Sequence, residues 1–311
     1  MGHVDYDEFG LFHENAQEYG LPYDAPPIVR RSFVEVAPGR NLSALVWQGG
    51  EPELVFLHGG AQNAHTWDTV AMALDRPLVA VDLPGHGHSD GAGDRPGVAG
   101  NAVDVAIVVC ELAPTARAVI GVSLGGLVTI ALAKEAPELV RNVVLVDVLP
   151  GIKGPRSKHI TDFLSGPSTF SSLEELIDRT ASFNPTRSRS SLRRGILHNA
   201  EQQDDGSWRW RWARHRDAAS GLGSDEQGAS LFDELWASVS SIAVPLLLAR
   251  GMQPDSVLGD EDEEELLRRL PSAQVVHFEH GGHSLQGDTP LELAALIENF
   301  VFDSYVGPGE G

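Results

Sequence analysis

Gly121-Val122-Ser123-Leu124-Gly125, followed by Gly126, sets one serine among small residues where an apolar run gives way to helical spacing. A serine lifted on a sharp strand-to-helix turn can attack a carbonyl, and flanking glycines let neighbouring chain pass close to it. The plainer alternative is a tight turn with Ser123 as a helix cap. A hydroxyl near neutral pH needs a base to take its proton and an acid to orient that base. Glu279-His280-Gly281-Gly282-His283 offers two histidines. The glycine pair before His283 allows the sharp turn that would lift its ring, so His283 is preferred over His280. Asp255, at the end of Arg250-Gly251-Met252-Gln253-Pro254-Asp255, is the expected acid, with Asp147 as its rival. Ser123, Asp255 and His283 stand in the chain order Ser…Asp…His.

These residues need a scaffold that brings distant loops together. Leu54–Leu57, Leu78–Val81, Ala118–Ile120, Val143–Val146, Val244–Ala249 and Gln274–Phe278 read as short buried strands. Helical spacing over Ala64–Leu74, Val98–Leu112, Leu124–Lys134, Leu231–Val239, Glu261–Leu270 and Leu291–Val301 alternates with them. That alternation predicts an α/β fold with a mostly parallel central sheet flanked by helices. Arg31–Ala37 and Leu42–Trp47 precede it as a hairpin around Pro38-Gly39-Arg40-Asn41. In an open parallel sheet the carboxyl ends of the strands collect the functional loops, and each candidate above follows such a strand.

The alternation breaks at Pro150 and resumes near residue 228. The expected organisation is an acidic arm over 1–27, a core made of 28–149 and 228–303, an inserted and mainly helical segment over 150–227, and a tail over 304–311. Within the insertion, Asp205-Gly206 ahead of Ser207-Trp208-Arg209-Trp210-Arg211-Trp212 predicts a hairpin. Residues 150–220 hold twelve basic and eight acidic residues, although the 311-residue chain as a whole has net charge −21. The insertion is therefore basic against an acidic remainder. The acidic run Asp260–Glu265 reads as a solvated helix start, favoured by the helix dipole.

Composition excludes several classes. The negative balance opposes non-specific binding to nucleic acid phosphates. One cysteine, Cys110, leaves no internal disulfide or thiolate-rich metal site, and it reads as a core residue. No apolar run reaches the ~18–20 residues of a membrane span. Acidic residues near the start argue against a signal peptide and give a cytoplasmic expectation.

His58-Gly59-Gly60, Asp82–Ser89, Gly121–Gly126, Arg250–Asp255 and Gly282-His283, in this order over residues 30–303, resemble the α/β-hydrolase fold superfamily, specifically its capped, lipase/esterase-like serine hydrolases. The resemblance implies that the 150–227 insertion caps the active site. It also implies an oxyanion hole from the backbone N–H groups of Leu124 and Gly60, with Ala61 as the alternative second donor. The implied activity is hydrolysis of esters of small or medium acyl groups through an acyl-enzyme, with a small-molecule ester as partner and no cofactor or metal. Carbon–carbon bond hydrolysis of dienoic ring-cleavage products, lactone or amide hydrolysis, and a non-catalytic ligand receptor are the alternatives. A serine at position 123 excludes the carboxylate nucleophile of epoxide and haloalkane hydrolysis. His58 is expected to be a loop-stabilising residue, His86 and His88 structural, and Asp82 a holder of its loop through backbone hydrogen bonds. Trp208, Trp210 and Trp212 are expected to pack the cap, with a substrate wall as the second reading. Some cap arginines should sit in ion pairs, and others are free to steer a carboxylate-bearing substrate.

Overall fold

The computed structural model describes residues 4–151, 155–212 and 225–303. The predicted 304–311 tail, and 152–154 and 213–224 of the predicted insertion, lie outside the described residues. Eight strands form one sheet: β1 (Val29–Ala37), β2 (Arg40–Trp47), β3 (Leu54–Leu57), β4 (Leu78–Val81), β5 (Ala118–Val122), β6 (Val143–Val146), β10 (Leu246–Gly251) and β11 (Gln274–Phe278). Their order is β1-β2-β4-β3-β5-β6-β10-β11. The β1–β2 and β2–β4 pairs are antiparallel, and the rest of the sheet is parallel. The mostly parallel sheet is the one expected. β10 is displaced from its expected span and runs on to Gly251, because Pro245, which has no N–H to give the ladder, stands just ahead of it.

Alternating side chains feed two cores. Val55, Leu57, Val119, Val143 and Leu145 face α3 (Gly97–Leu112), α4 (Leu124–Glu135) and α8 (Asp225–Ser241). Leu54, Phe56, Ile120, Val144 and Val146 face α1 (Phe12–Tyr19), α2 (Asp68–Leu74) and α11 (Pro290–Glu298). Continuous apolar runs of four residues are what strands buried on both faces require. The expected helix over Ala64–Leu74 begins as a 3₁₀ turn, Ala64–Trp67, and continues as α2. Cys110 corrects its sequence reading. It is exposed, because α3 turns Val98, Ala102, Val105, Val108 and Val109 inward and Cys110 lies off that stripe. Among the described residues no helix is long and apolar enough to cross a membrane.

Between β6 and α8 the chain forms α5 (Pro155–Leu164), β7 (Thr169–Phe170), α6 (Leu173–Phe183), α7 (Arg189–Asn199), β8 (Ala200–Gln202) and β9 (Trp208–Trp210). β8 and β9 form the expected hairpin, with Gly206 at φ +86 in its turn, and β7 adds to the other side of β9. Trp208, Trp210 and Trp212 are buried with Phe170, Leu176 and Ile196 in a third apolar cluster.

The N-terminal arm carries a helix that its sequence did not suggest. Phe12 is buried against Trp47, with ring centroids 5.0 Å apart, and this contact anchors α1 to the sheet. Glu14 and Glu18 of α1 pair with Arg194 of α7, and Glu14 also lies 3.6 Å from Arg193. A second tie runs through His65. Its Nδ1 meets Asp68 Oδ2 at 2.9 Å and its Nε2 meets Glu8 Oε1 at 3.1 Å. Burial raises the Asp68 pKa, but with both carboxylates ionised each ring nitrogen must donate and the ring is a cation. Burial opposes that charge, but Asp68 and Glu8 outweigh it and hold the His65 pKa at about 9. His198 stacks on the His65 ring at 3.8 Å and bonds Tyr6 Oη through Nδ1 at 2.7 Å.

A histidine pKa raised by folding stabilises the native state fully below the unfolded value of 6.5 and loses that contribution as pH rises through the folded value. Stability of the wild type should therefore fall by about 1–3 kcal/mol between pH 6.5 and 9. Urea denaturation of wild type and His65→Gln across this range measures it. Parallel profiles for the two proteins would show that His65 carries no proton-linked stability.

Candidate active site

Five parallel strands end side by side. Leu57 pairs with Gly121, Val122 with Val146, Val146 with Ala249, and Gly251 with Phe278. The segments that leave these ends carry Gly59-Gly60, Ser123, Asp147, Asp255 and His283. Register thus delivers five chemically capable stretches to one edge of the sheet.

Ser123 adopts φ 51, ψ −120 and makes no side-chain hydrogen bond to the first turn of α4. The helix-cap alternative is therefore set aside. Positive φ at a non-glycine residue costs on the order of 1–3 kcal/mol and persists only where surroundings impose it. Here they do. A Cβ on Gly121 would run into the backbone of Gly125, one on Gly125 into the carbonyls of Leu57 and His58, and one on Gly126 into Val148. The glycines bring α4 down onto β3, β5 and the chain beyond β6.

His283 and Ser123 line the same cavity, of about 270 Å³, together with Gly59, Gly60 and Ala61. His280 is exposed. A Cβ on Gly282 would meet the Asp255 carboxylate and one on Gly281 the end of the Leu285 side chain, so the glycine pair lets both side chains pack close to the turn before the histidine.

The carboxylate bonded to His283 is not the one expected. His283 Nδ1 lies 3.0 Å from Asp147 Oδ2. Asp147 is fully buried at φ 44, and its carboxylate also accepts from Gly251 N at 3.0 Å, Ser256 Oγ at 2.7 Å and Val257 N at 3.0 Å. Asp255 lines the cavity but is exposed, and among the described residues it makes no hydrogen bond to His283. The reason is local. The loop after β10 folds back so that Ser256 and Val257 cradle Asp147, which leaves Asp255 at the rim.

The loop after β3 narrows the choice of amide donors. Gly59 N–H donates to Gln62 Oε1 at 3.0 Å, and Ala61 N–H donates to His86 Nε2 at 3.1 Å. Gly60 N–H lies between these two engaged groups, so Ala61 is the weaker alternative. Leu124 N–H opens α4, where no intrahelical acceptor exists for it. His58 is a structural residue, as expected: Nδ1–H donates to Gly59 O at 2.7 Å and Nε2 accepts from Leu83 N at 2.9 Å. Burial and the neighbouring His86 push its pKa down to about 3, so it stays neutral. Asp82 accepts from Ala64 N and His88 N and pairs with Arg31, which holds its loop in the expected way.

Sequence reasoning missed His65, Asp68 and His198, whose donor atoms lie within 4.8 Å of one another along this cavity. Such spacing suits a metal ion. The ring planes are only 10° apart, however, so the nitrogen lone pairs lie in parallel planes and do not converge. Both His65 nitrogens already face carboxylates, and the trio is built around a proton.

The model of the alpha/beta hydrolase family matches residues 54–296, and the chain belongs to that family. The chain is 40% identical over 305 residues to esterase Rv0045c of Mycobacterium tuberculosis, covering 95% of this chain and 96% of that protein. It is 28% identical to a 3-hydroxybutyrate-oligomer hydrolase of Cupriavidus necator, covering 88% and 98%. A solved structure of the M. tuberculosis esterase superposes with a TM-score of 0.81 at 39% identity over 96% of this chain and 99% of that one. The thioesterase domain of the curacin biosynthetic pathway shares the fold, with a TM-score of 0.71 at 23% identity over 87% and 99%.

Asp147→Asn should lower kcat on an activated ester by up to ~10⁴, since an amide at this place favours the wrong imidazole tautomer. Asp255→Asn, at the rim, should cost less than about tenfold by the same comparison. Steady-state rates of the two variants decide between the acids, and a larger loss for Asp255→Asn would reverse the assignment.

Proposed function

We propose that the chain is a serine hydrolase that cleaves carboxylic esters of small to medium acyl groups through an acyl-enzyme. One observation carries the reading: Ser123, on a strained turn, shares a cavity with a histidine whose far nitrogen is bonded to a buried carboxylate. The likeness to esterase Rv0045c over 95% of the chain supports it.

In this mechanism Ser123 Oγ attacks the ester carbonyl and His283 takes its proton. Asp147 fixes the imidazole tautomer and balances the cation that forms. Gly60 and Leu124 N–H groups receive the developing oxyanion, where loss of one donor typically costs ~3–4 kcal/mol. His283 returns the proton to the alkoxide leaving group. Water, activated by the same histidine, then resolves the acyl-enzyme. This chemistry asks for no cofactor or metal, and a cytoplasmic setting belongs to the same proposal. Residues 150–227 serve as a cap that sets substrate size. Phe163, Leu164, Phe183, Leu192 and Trp210 of that segment line the cavity.

Ser123→Ala should abolish turnover of p-nitrophenyl esters and labelling by a fluorophosphonate, with thermal stability nearly unchanged. Retained turnover in that variant would sink the mechanism. Trp210 is both buried in the cap and in the cavity wall, whereas Trp208 is only buried in the cap. Trp210→Ala should therefore shift the optimum acyl length upward, and Trp208→Ala should only lower stability, by about 3–5 kcal/mol. A chain-length series with p-nitrophenyl esters, read beside the melting temperatures, separates the two.

A further inference from the structure

The wall of the catalytic cavity holds a cation that makes no direct ion pair among the described residues. Most described arginines of the 150–227 segment are spoken for. Arg189 pairs with Glu174 and Asp178, Arg193 and Arg194 with the acids of α1, and Arg211 with Glu201. Arg179 bonds two carbonyls and lies over the Phe163 and Phe183 rings.

Arg187, in the turn between α6 and α7, is different. It lines the cavity with Ser123 and His283. Its Nη2 donates to Ser191 Oγ at 2.6 Å, and its Nε is buried without a partner. Among the described residues no carboxylate pairs with it. Glu18 and Asp288 are near enough to feel its charge, but their hydrogen bonds go elsewhere: Glu18 to Ser188 and Arg194, and Asp288 to Gly282 N. Asp255 stands exposed at the rim. The guanidinium also packs against Gly287, four residues past His283, which places it on the histidine side of the cavity.

The guanidinium lines the cavity with Ser191 Oγ as its side-chain acceptor, so a ligand carboxylate entering the cavity can supply the charged acceptor that it lacks. A guanidinium presents a planar fork that matches a carboxylate in two parallel hydrogen bonds. A net charge of −21 repels anions from the surface at large, so an anionic substrate needs a local cation inside the site.

We propose that Arg187 binds a free carboxylate of the substrate, so that the preferred esters are half-esters of dicarboxylic acids, with the carboxylate on the acyl side. This rests on the esterase reading above and adds a substrate class to it. The bond that breaks is still the ester bond, and Arg187 acts by positioning the acyl chain.

The test compares p-nitrophenyl monoesters of glutaric and adipic acid with neutral p-nitrophenyl esters of equal acyl length. Wild type should favour the anionic esters in kcat/KM by about tenfold or more, mostly through KM, and 0.5 M NaCl should narrow the gap. Arg187→Gln should reduce the anionic-to-neutral ratio at least tenfold, and Arg187→Lys should restore part of it. Adipate should compete with a neutral ester for wild type, and its uncharged diamide should not. Two results overturn the inference: no anionic advantage in wild type, or an equal fall for both ester classes in Arg187→Gln. Preference for a carboxylate on the alcohol side only, tested with butyryl esters of hydroxybenzoates, overturns the half-ester assignment. Should Arg187→Gln fail to fold, Arg187→Lys and the adipate competition decide. If wild type turns over no ester and Ser123 resists the fluorophosphonate, the esterase reading itself fails. Neutral turnover without anionic preference removes only this inference.

Discussion

A buried carboxylate with four hydrogen-bond donors organises this site. Removing a charge from water costs several kcal/mol unless the interior replaces the lost hydration. Gly251 N, Ser256 Oγ, Val257 N and His283 Nδ1 supply that replacement for Asp147. The four donors come from the end of β10, the loop after it and the loop after β11. A single side chain just past β6 thereby sets the relative positions of three segments, and the histidine inherits its orientation from them. The constraint also explains local strain. Asp147 accepts φ 44 because the alternative would leave both the carboxylate and the surrounding N–H groups unpaired.

Much of the frame was legible in the residues. Alternation of short apolar runs with helical spacing gave the parallel sheet, and glycine placement gave the turn at Ser123 and the lift of His283. The acid was harder to place. Asp255 and Asp147 both follow predicted strands, and chain order fits either one. What decides is the path of the loop after β10, a property of tertiary packing with no periodic signature. In the structure Ser123 and Asp147 each stand one residue beyond neighbouring strand ends that lie in register, Val122 against Val146, a pairing that a strand read only as far as Ile120 did not reveal. Cys110 failed for a different reason. Apolar residues surround it in sequence, and only the angular position of the stripe on α3 shows that it faces outward. The α1 helix was hidden because an eight-residue amphipathic segment is too short to show a clear period, and packing against Trp47 stabilises it.

Charge partition in the sequence has a structural counterpart. The acidic arm and the basic insertion meet through Glu14, Glu18, Arg193 and Arg194. Arg194 is buried, so its pairing with α1 specifies where the arm must lie; removing either side would strand a charge in a dry contact. The arm thus acts as a strap between sheet and insertion. Val4 N–H donates to Gln202 Oε1 and Tyr6 bonds His198, so the strap reaches β8 and the end of α7 as well.

These ties converge on the loop after β3. Asn199 at the end of α7 donates to Ala61 O at 2.5 Å, and Asn63 donates to His198 O at 3.0 Å. Ala61 N–H is held from the other side by His86. Ala61 itself sits at φ 59, so the peptide that precedes it is fixed by contacts rather than by its own preference. The Gly60 amide, one residue earlier, therefore takes its direction jointly from the core and from the 150–227 segment. The segment proposed to set substrate size also orients the group proposed to stabilise the oxyanion. Substitutions at Asn199 or in the α1–α7 ion pairs should consequently reach the chemical step through the Gly60 peptide without touching Ser123, His283 or Asp147.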